Sequence, residues 1–154
     1  MTVSVQLADF DVSAEIAGLT AADKSVGAIA TFIGKVRNEA HGNPIASMSL
    51  EHYPGMTETE LSRIETEATA RFHLTASRII HRVGTLHPGD NIVLVVTCSS
   101  HRHDALSACD FLMDYLKSRA PFWKKETGLN GEGTWVDTRS SDDTSLNRWQ
   151  SSVL

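Results

Sequence analysis

Three stretches of the chain concentrate side chains that could bind or move charge. Ser99-Ser100-His101-Arg102-His103-Asp104 lies where an apolar strand pattern hands over to a helical one. A helix start carries free backbone N–H groups. With His101 and Arg102 beside it, that start suits a phosphate, and Ser100 as N-cap with Asp104 in the first turn suits the helix itself. The same residues also fit a plain capped helix with solvated cations. Lys35 and Arg37 stand two apart at the end of a strand pattern and so point to one face; they could share an anion, or could be a solvated strand end. The densest stretch is Lys117 to Glu126 (KSRAPFWKKE), where Pro121, Phe122 and Trp123 interrupt the cations Lys117, Arg119, Lys124 and Lys125. A helix C-terminus favours cations, which accounts for Lys117 and Arg119 but not for Lys124. Lysines held against aromatic walls and against each other should have lowered pKa values, and a neutral lysine can act as base or nucleophile.

Other chemistries find less support. His101 and His103 form an H-x-H without the glutamate of H-E-x-x-H, and the remaining histidines are scattered, so no metal site is expected. Cys98 ends an apolar run and Cys109 sits in an amphipathic one; both read as small core residues rather than nucleophiles. The chain lacks G-x-S-x-G, Walker A and G-x-G-x-x-G patterns.

These candidates need elements to position them. Thr2 to Ala8 alternates as a short strand, and Asp11 to Leu19 reads as a short helix capped by Ser13. Val26 to Val36 and Ile45 to His52 are strand-like, and the polar Asn38 to Pro44 between them reads as a mobile loop. After the Pro54-Gly55 turn, Thr57 to Phe72 is an amphipathic helix. Leu61, Ile64, Ala68 and Phe72 form its stripe, with Glu58, Glu60, Glu65 and Glu67 toward water. Ala76 to Val83 is a strand, Pro88-Gly89-Asp90 a turn, and Asn91 to Cys98 a near-continuous apolar strand suited to the centre of a sheet. The second strong helix spans His101 to Ser118, with Ala105, Cys109, Leu112 and Leu116 inward, Leu106 and Met113 beside them, and Pro121 ending it. Trp123 to Thr127 and Gly133 to Val136 are short strands around a Gly-rich turn. The polar tail from about residue 140 is expected to be loosely held, except at Trp149. The class is α+β: a mainly antiparallel or mixed sheet with two main helices, in one domain over 1–154.

Composition sets outer bounds. A chain of 154 residues can bury about 68–70% of its unfolded surface without a disulfide or metal staple. A net charge of −5 and a pI near 5.7 argue against nucleic acid or an acidic membrane as partner. An anion site must then be a local cluster of cations. Met1 to Asp11 lacks the features of a signal peptide, no apolar run approaches the ~18 residues of a membrane span, and the two cysteines form no disulfide framework, so a cytoplasmic setting is expected.

Gly34-Lys35-Val36-Arg37, Leu50-Glu51-His52-Tyr53-Pro54-Gly55-Met56, Ser100-His101-Arg102 and Lys117 to Glu126, in this order and spacing, resemble the large subunit of molybdopterin synthase over roughly Val26 to Trp135. The resemblance implies an α/β hammerhead with an added small antiparallel part. It implies a sulfurtransferase of molybdenum cofactor biosynthesis that converts cyclic pyranopterin monophosphate to molybdopterin. The sulfur comes from the C-terminal thiocarboxylate of a small ubiquitin-like carrier, so no further cofactor is implied. A homodimer with one carrier per large subunit, a heterotetramer overall, is also implied. Lys117 matches the key catalytic lysine and Lys124 the second. Lys35 with Arg37, and His101 with Arg102, match positions that hold the pterin and its phosphate, and Lys125 and Glu126 complete the substrate-binding stretch. Arg139 has a weaker match on the phosphate side.

Helix geometry adds an expectation. Arg102 and Lys117 lie fifteen residues apart on one helix, about 22 Å at 1.5 Å per residue, longer than a pterin monophosphate. One chain then does not bring both ends to one ligand; two chains of a homodimer could. Two rivals remain at this stage. A non-catalytic module binding a ubiquitin-like tail would use the aromatic groove but not the anion-binding cations. A phosphate-ester hydrolase would need a metal or an evident nucleophile.

Overall fold

The run at 91–99 becomes the strand around which the larger part of the molecule is built. In the computed structural model, which describes residues 2–136 and 140–150, the elements in order are β1 (Val3–Gln6), α1 (Val12–Thr20), β2 (Ala28–Lys35), β3 (Glu39–Ala40), β4 (Asn43–His52), α2 (Met56–Phe72), β5 (Ala76–Arg82), β6 (Gly84–Leu86), β7 (Asn91–Ser99), α3 (Arg102–Ser118), β8 (Phe122–Gly128), β9 (Gly133–Val136) and α4 (Ser140–Gln150). The first sheet has the order β1-β5-β7-β2, with β1 parallel to β5 and the other pairs antiparallel. Both faces of β7 are covered, because successive strand side chains alternate. Leu94, Val96 and Cys98 pack toward α1, while Val93 and Val95 join the core under α2 and α3. This explains an apolar run without the alternation of a half-exposed strand.

The second sheet is antiparallel, in the order β3-β4-β8-β9 with β6 also on β4. Its separate core includes Val36, Ile45, Met48, Leu50 and Leu86. The chain passes between the sheets after β2 and again between β5 and β6, where Gly84 takes a φ of +87° that a side chain would disfavour. The α+β class and the smaller antiparallel part agree with the sequence reading.

Several local expectations are corrected. Asp11, not Ser13, caps α1 by accepting from Ala14 N at 3.1 Å. His101, not Ser100, is the N-cap of α3, without a side-chain cap bond. Residues 38–44 are not an open loop: Glu39 pairs with Pro44 and Ala40 with Asn43. His41 and Gly42 between them both have positive φ, as a tight two-residue hairpin turn requires. Strand β6 went unread because three residues carry no periodicity.

Glu65 faces inward rather than toward water, accepting from the hydroxyls of Thr2 and Ser77; two hydroxyl donors make a buried carboxylate tolerable. Leu106 is 61% exposed, whereas Phe111 is fully buried in its place on the α3 stripe. The polar tail is helical: Leu146 of α4 is fully buried, and Trp149 packs edge-on to Phe72 and Phe111 while its indole N–H donates to Asp114. Two apolar anchors suffice to dock an otherwise polar helix.

Candidate active site

The site forms where the C-terminal end of α3 meets both sheets. Lys117 is in the last turn of α3. The helix closes with Arg119 N and Ala120 N donating to Tyr115 O, and Pro121 prevents its continuation. Buried Thr57, near the start of α2, donates its hydroxyl to Pro121 O at 3.2 Å and accepts from Tyr53 N at 3.0 Å. Gly55, with φ +86°, starts that helix, and its N–H donates to Glu58 at 2.6 Å. The Tyr53-Pro54-Gly55 segment thus ties down the junction from which β8 departs.

Along β8 the side chains alternate. Phe122, Lys124 and Glu126 face a cavity of about 280 Å³ also lined by Lys35, Arg37, Glu39, His81 and Lys117. Lys124 Nζ lies 3.6 Å from Glu126 Oε1, so the carboxylate aims the lysine. Lys35 Nζ donates to Gly89 O at 3.2 Å, fixed over the Pro88-Gly89-Asp90 turn. Ile45, Met48, Leu50, Ile92 and Leu116 supply apolar wall. Two further cavities adjoin. One of about 260 Å³ shares Lys35, Arg37, His81 and Lys117 and reaches Phe32 and Ile33 on β2. The other, about 480 Å³, shares Glu126 and continues past Trp135 along β9.

The structure therefore brings together Lys35 and Arg37 with Lys117, Lys124 and Glu126, two groups that lie far apart in sequence. It does not bring the other expected site residues to them. Lys125 is on the opposite face of β8, its ammonium 5.8 Å from the centre of the Trp135 ring. His101 and Arg102 are exposed at the other end of an unbroken α3. Arg139 lies outside the described residues. Of the expected aromatic walls, Phe122 lines the cavity, whereas Trp123 stacks edge-on to Tyr53 at 4.6 Å.

The sequence reading missed His81. It sits on β5, 8% exposed, stacked on Phe122 with ring centres 3.9 Å apart. Burial pushes its pKa down to about 4, and the charge of Lys117 acts in the same direction. Its one sequence signal was a titratable residue at an inward position of an apolar strand. Cys98 and Cys109 are buried and free, and burial raises both thiol pKa values, that of Cys109 to about 11. Neither is a ready thiolate. Among the described residues no three His, Cys, Asp or Glu side chains gather as a metal site, and no helix is long and apolar enough to cross a membrane. What the cavity can do is bind an anion, stabilise developing negative charge and hold a lysine at a reacting centre.

Comparison with known proteins shows the family and the fold. The family model described as MoaE protein matches residues 5–119. The molybdopterin synthase catalytic subunit of Ralstonia nicotianae is 53% identical over 148 residues, covering 96% of this chain and 84% of that protein. The solved molybdopterin biosynthesis MoaE protein of Burkholderia ambifaria is 51% identical with a TM-score of 0.82, covering 97% of each chain. A Helicobacter pylori chain, solved as a complex of subunits 1 and 2 of molybdopterin-converting factor, shares the fold at 22% identity. Its TM-score is 0.73, with 91% of this chain and 93% of that chain covered. The chain belongs to the MoaE family of molybdopterin synthase catalytic subunits.

Proposed function

We propose that this chain is a sulfurtransferase that converts cyclic pyranopterin monophosphate to molybdopterin, taking sulfur from the C-terminal thiocarboxylate of a small ubiquitin-like carrier. The observation that carries the reading is the gathering of Lys35, Arg37, Lys117 and Lys124 in one cavity that no cysteine lines, both thiols being buried elsewhere and hard to ionise. A site that receives its sulfur from a partner needs charge control rather than a nucleophile. The carrier's sulfur bonds to a substrate carbon as that carbon's oxygen substituent departs, either as water or as the freed phosphate-ester oxygen, and water then adds to the resulting thioester carbonyl. Collapse of that tetrahedral oxyanion breaks the carbon–sulfur bond on the carrier side. The carrier leaves as a carboxylate, the sulfur stays on the substrate, and the sequence repeats once. Lys117 stabilises the oxyanion and handles protons; Lys124, aimed by Glu126, orients the carrier tail; Lys35 and Arg37 hold the phosphate.

The elongated cavity beside Glu126 and Trp135 offers an extended tail a route to Lys117, and Lys125 stands beside that route against Trp135. The small-subunit partner is supported by the complex of the Helicobacter pylori protein. A homodimer, and with two carriers a heterotetramer, is supported by β2. It is an edge strand with Ile29, Phe32 and Ile33 38–44% exposed, and the second cavity opens there. Docking two chains along this edge would let His101 and Arg102 of one reach the phosphate side of the other's cavity. The reading requires no resident cofactor or metal, and free buried thiols suit a cytoplasmic setting.

The test is single-turnover conversion of cyclic pyranopterin monophosphate by the chain plus thiocarboxylated carrier, with Lys117→Ala alongside. Dithiolene product from the unmodified chain alone supports the assignment. Absence of product despite carrier binding would replace it with a non-catalytic tail-binding role.

A further inference from the structure

His81 differs in kind from the cations around it. Its Nδ1 lies 2.8 Å from the carbonyl oxygen of Arg82. A carbonyl can only accept, so Nδ1 carries the proton, and in a neutral imidazole Nε2 is then a lone-pair acceptor. The ring stays neutral at physiological pH because burial, Lys117 and His52 all disfavour its charge, outweighing the Arg82 carbonyl. Stacking on Phe122, with 19° between planes, fixes the direction of Nε2. Lys35, Arg37, Lys117 and Lys124 offer donors, which suit a phosphate and a developing oxyanion. A reduced pterin also carries ring N–H groups, and these need acceptors once water is stripped from them. Of the two carboxylates at the cavity, Glu126 is already engaged by Lys124 and Glu39 is exposed on β3.

We propose that Nε2 of His81 accepts a hydrogen bond from a ring N–H of the bound pterin, making His81 the residue that orients the bicyclic ring while the cations hold the phosphate. This rests on the substrate assignment above. It divides the cavity into a donor side that reads charge and an acceptor position that reads the ring. A phosphorylated compound of similar size without ring N–H groups would meet the first and not the second.

The experiment is calorimetric binding of cyclic pyranopterin monophosphate to the full chain and to His81→Phe and His81→Gln variants, with nitrogen-15 NMR of the histidine side chains. His81→Phe keeps the stack and removes the acceptor, and is expected to weaken binding about tenfold or more. His81→Gln presents an oxygen near the position of Nε2 and is expected to stay within about threefold of the unmodified chain. At neutral pH the Nε2 resonance of His81 is expected to be that of an unprotonated nitrogen and to shift on saturation with the pterin, a response that a purely structural histidine would not give. If the unmodified chain binds the pterin and Nε2 does not move, or if His81→Phe binds equally well, the role of His81 is overturned and the substrate assignment stands. If the unmodified chain does not bind the pterin at all, the substrate assignment itself fails.

Discussion

The two ends of helix α3 carry similar side chains in opposite settings. At the C-terminal end Lys117 enters a cavity walled by both sheets, with Lys124, Arg37 and a neutral histidine around it. At the N-terminal end His101 and Arg102 are exposed, as Lys117 also is, but they line neither that cavity nor the two adjoining it. One end is preorganised within a single chain. The other has cations and a helix start but no second wall. Fifteen residues of straight helix, about 22 Å, keep the two from serving one small ligand in the same chain. The difference teaches that a cation's type does not make a site; convergence does, because cations brought from two sheets and a helix end add their attraction at one anion.

The comparison breaks most sharply at Lys117. Lys117→Ala should lower single-turnover sulfur transfer by about 10²–10³, the scale of losing one preorganised stabiliser of an oxyanion, with carrier affinity little changed by calorimetry. Equal loss of both would make the residue structural.

The enclosed end should also show in stability against pH. The folded-state pKa of His81 is about 4 against an ordinary 6.5. Between these values the unfolded chain binds the proton that the folded chain refuses, so stability rises with pH across this window and levels off above about 6.5. The full span is on the order of 3 kcal/mol. Denaturant melts from pH 7 to 4.5 should show most of this slope, and His81→Phe should flatten it. An unchanged slope in that variant would mean that other groups govern the acid limb.

Arg102→Ala should slow transfer roughly ten- to a hundredfold, on the order of 1.5–3 kcal/mol for a charge-assisted contact. Mixing it with Lys117→Ala chains should restore about one working site per mixed dimer. Failure to complement, with mixed dimers demonstrated, would confine the site to one chain. The smallest effect is expected within β8. Lys124→Ala should reduce transfer clearly more than Lys125→Ala, because only Lys124 faces the cavity. The reverse order would mean that the contact of Lys125 beside Trp135, rather than Lys124 in the cavity, governs the rate.

The strand at 91–98 was legible as a continuous apolar run bounded by a turn, and the helices at 57–72 and 101–118 as long apolar sets whose period survives local noise. Lys124 was legible as a cation that a helix C-terminus does not account for; Lys117, which it does account for, and Lys35 with Arg37, which fit a solvated strand end, stood out through the family resemblance. The inward turn of Glu65 was not: its helix spacing suits solvent as well as core, and only the hydroxyls of Thr2 and Ser77, brought from distant strands, make burial tolerable. The helix at 140–150 was hidden because two anchors, Leu146 and Trp149, leave a polar sequence without a stripe.

Local order along the chain was enough to settle the type of each main element and the membership of the family, since periodicity, turn chemistry and motif order are properties of neighbouring residues. Which cations share a cavity, which face of β8 they take, and that His81 lies neutral among them were decided by tertiary packing. Those depend on strand register and on burial, and both are set by contacts between residues that the chain keeps far apart.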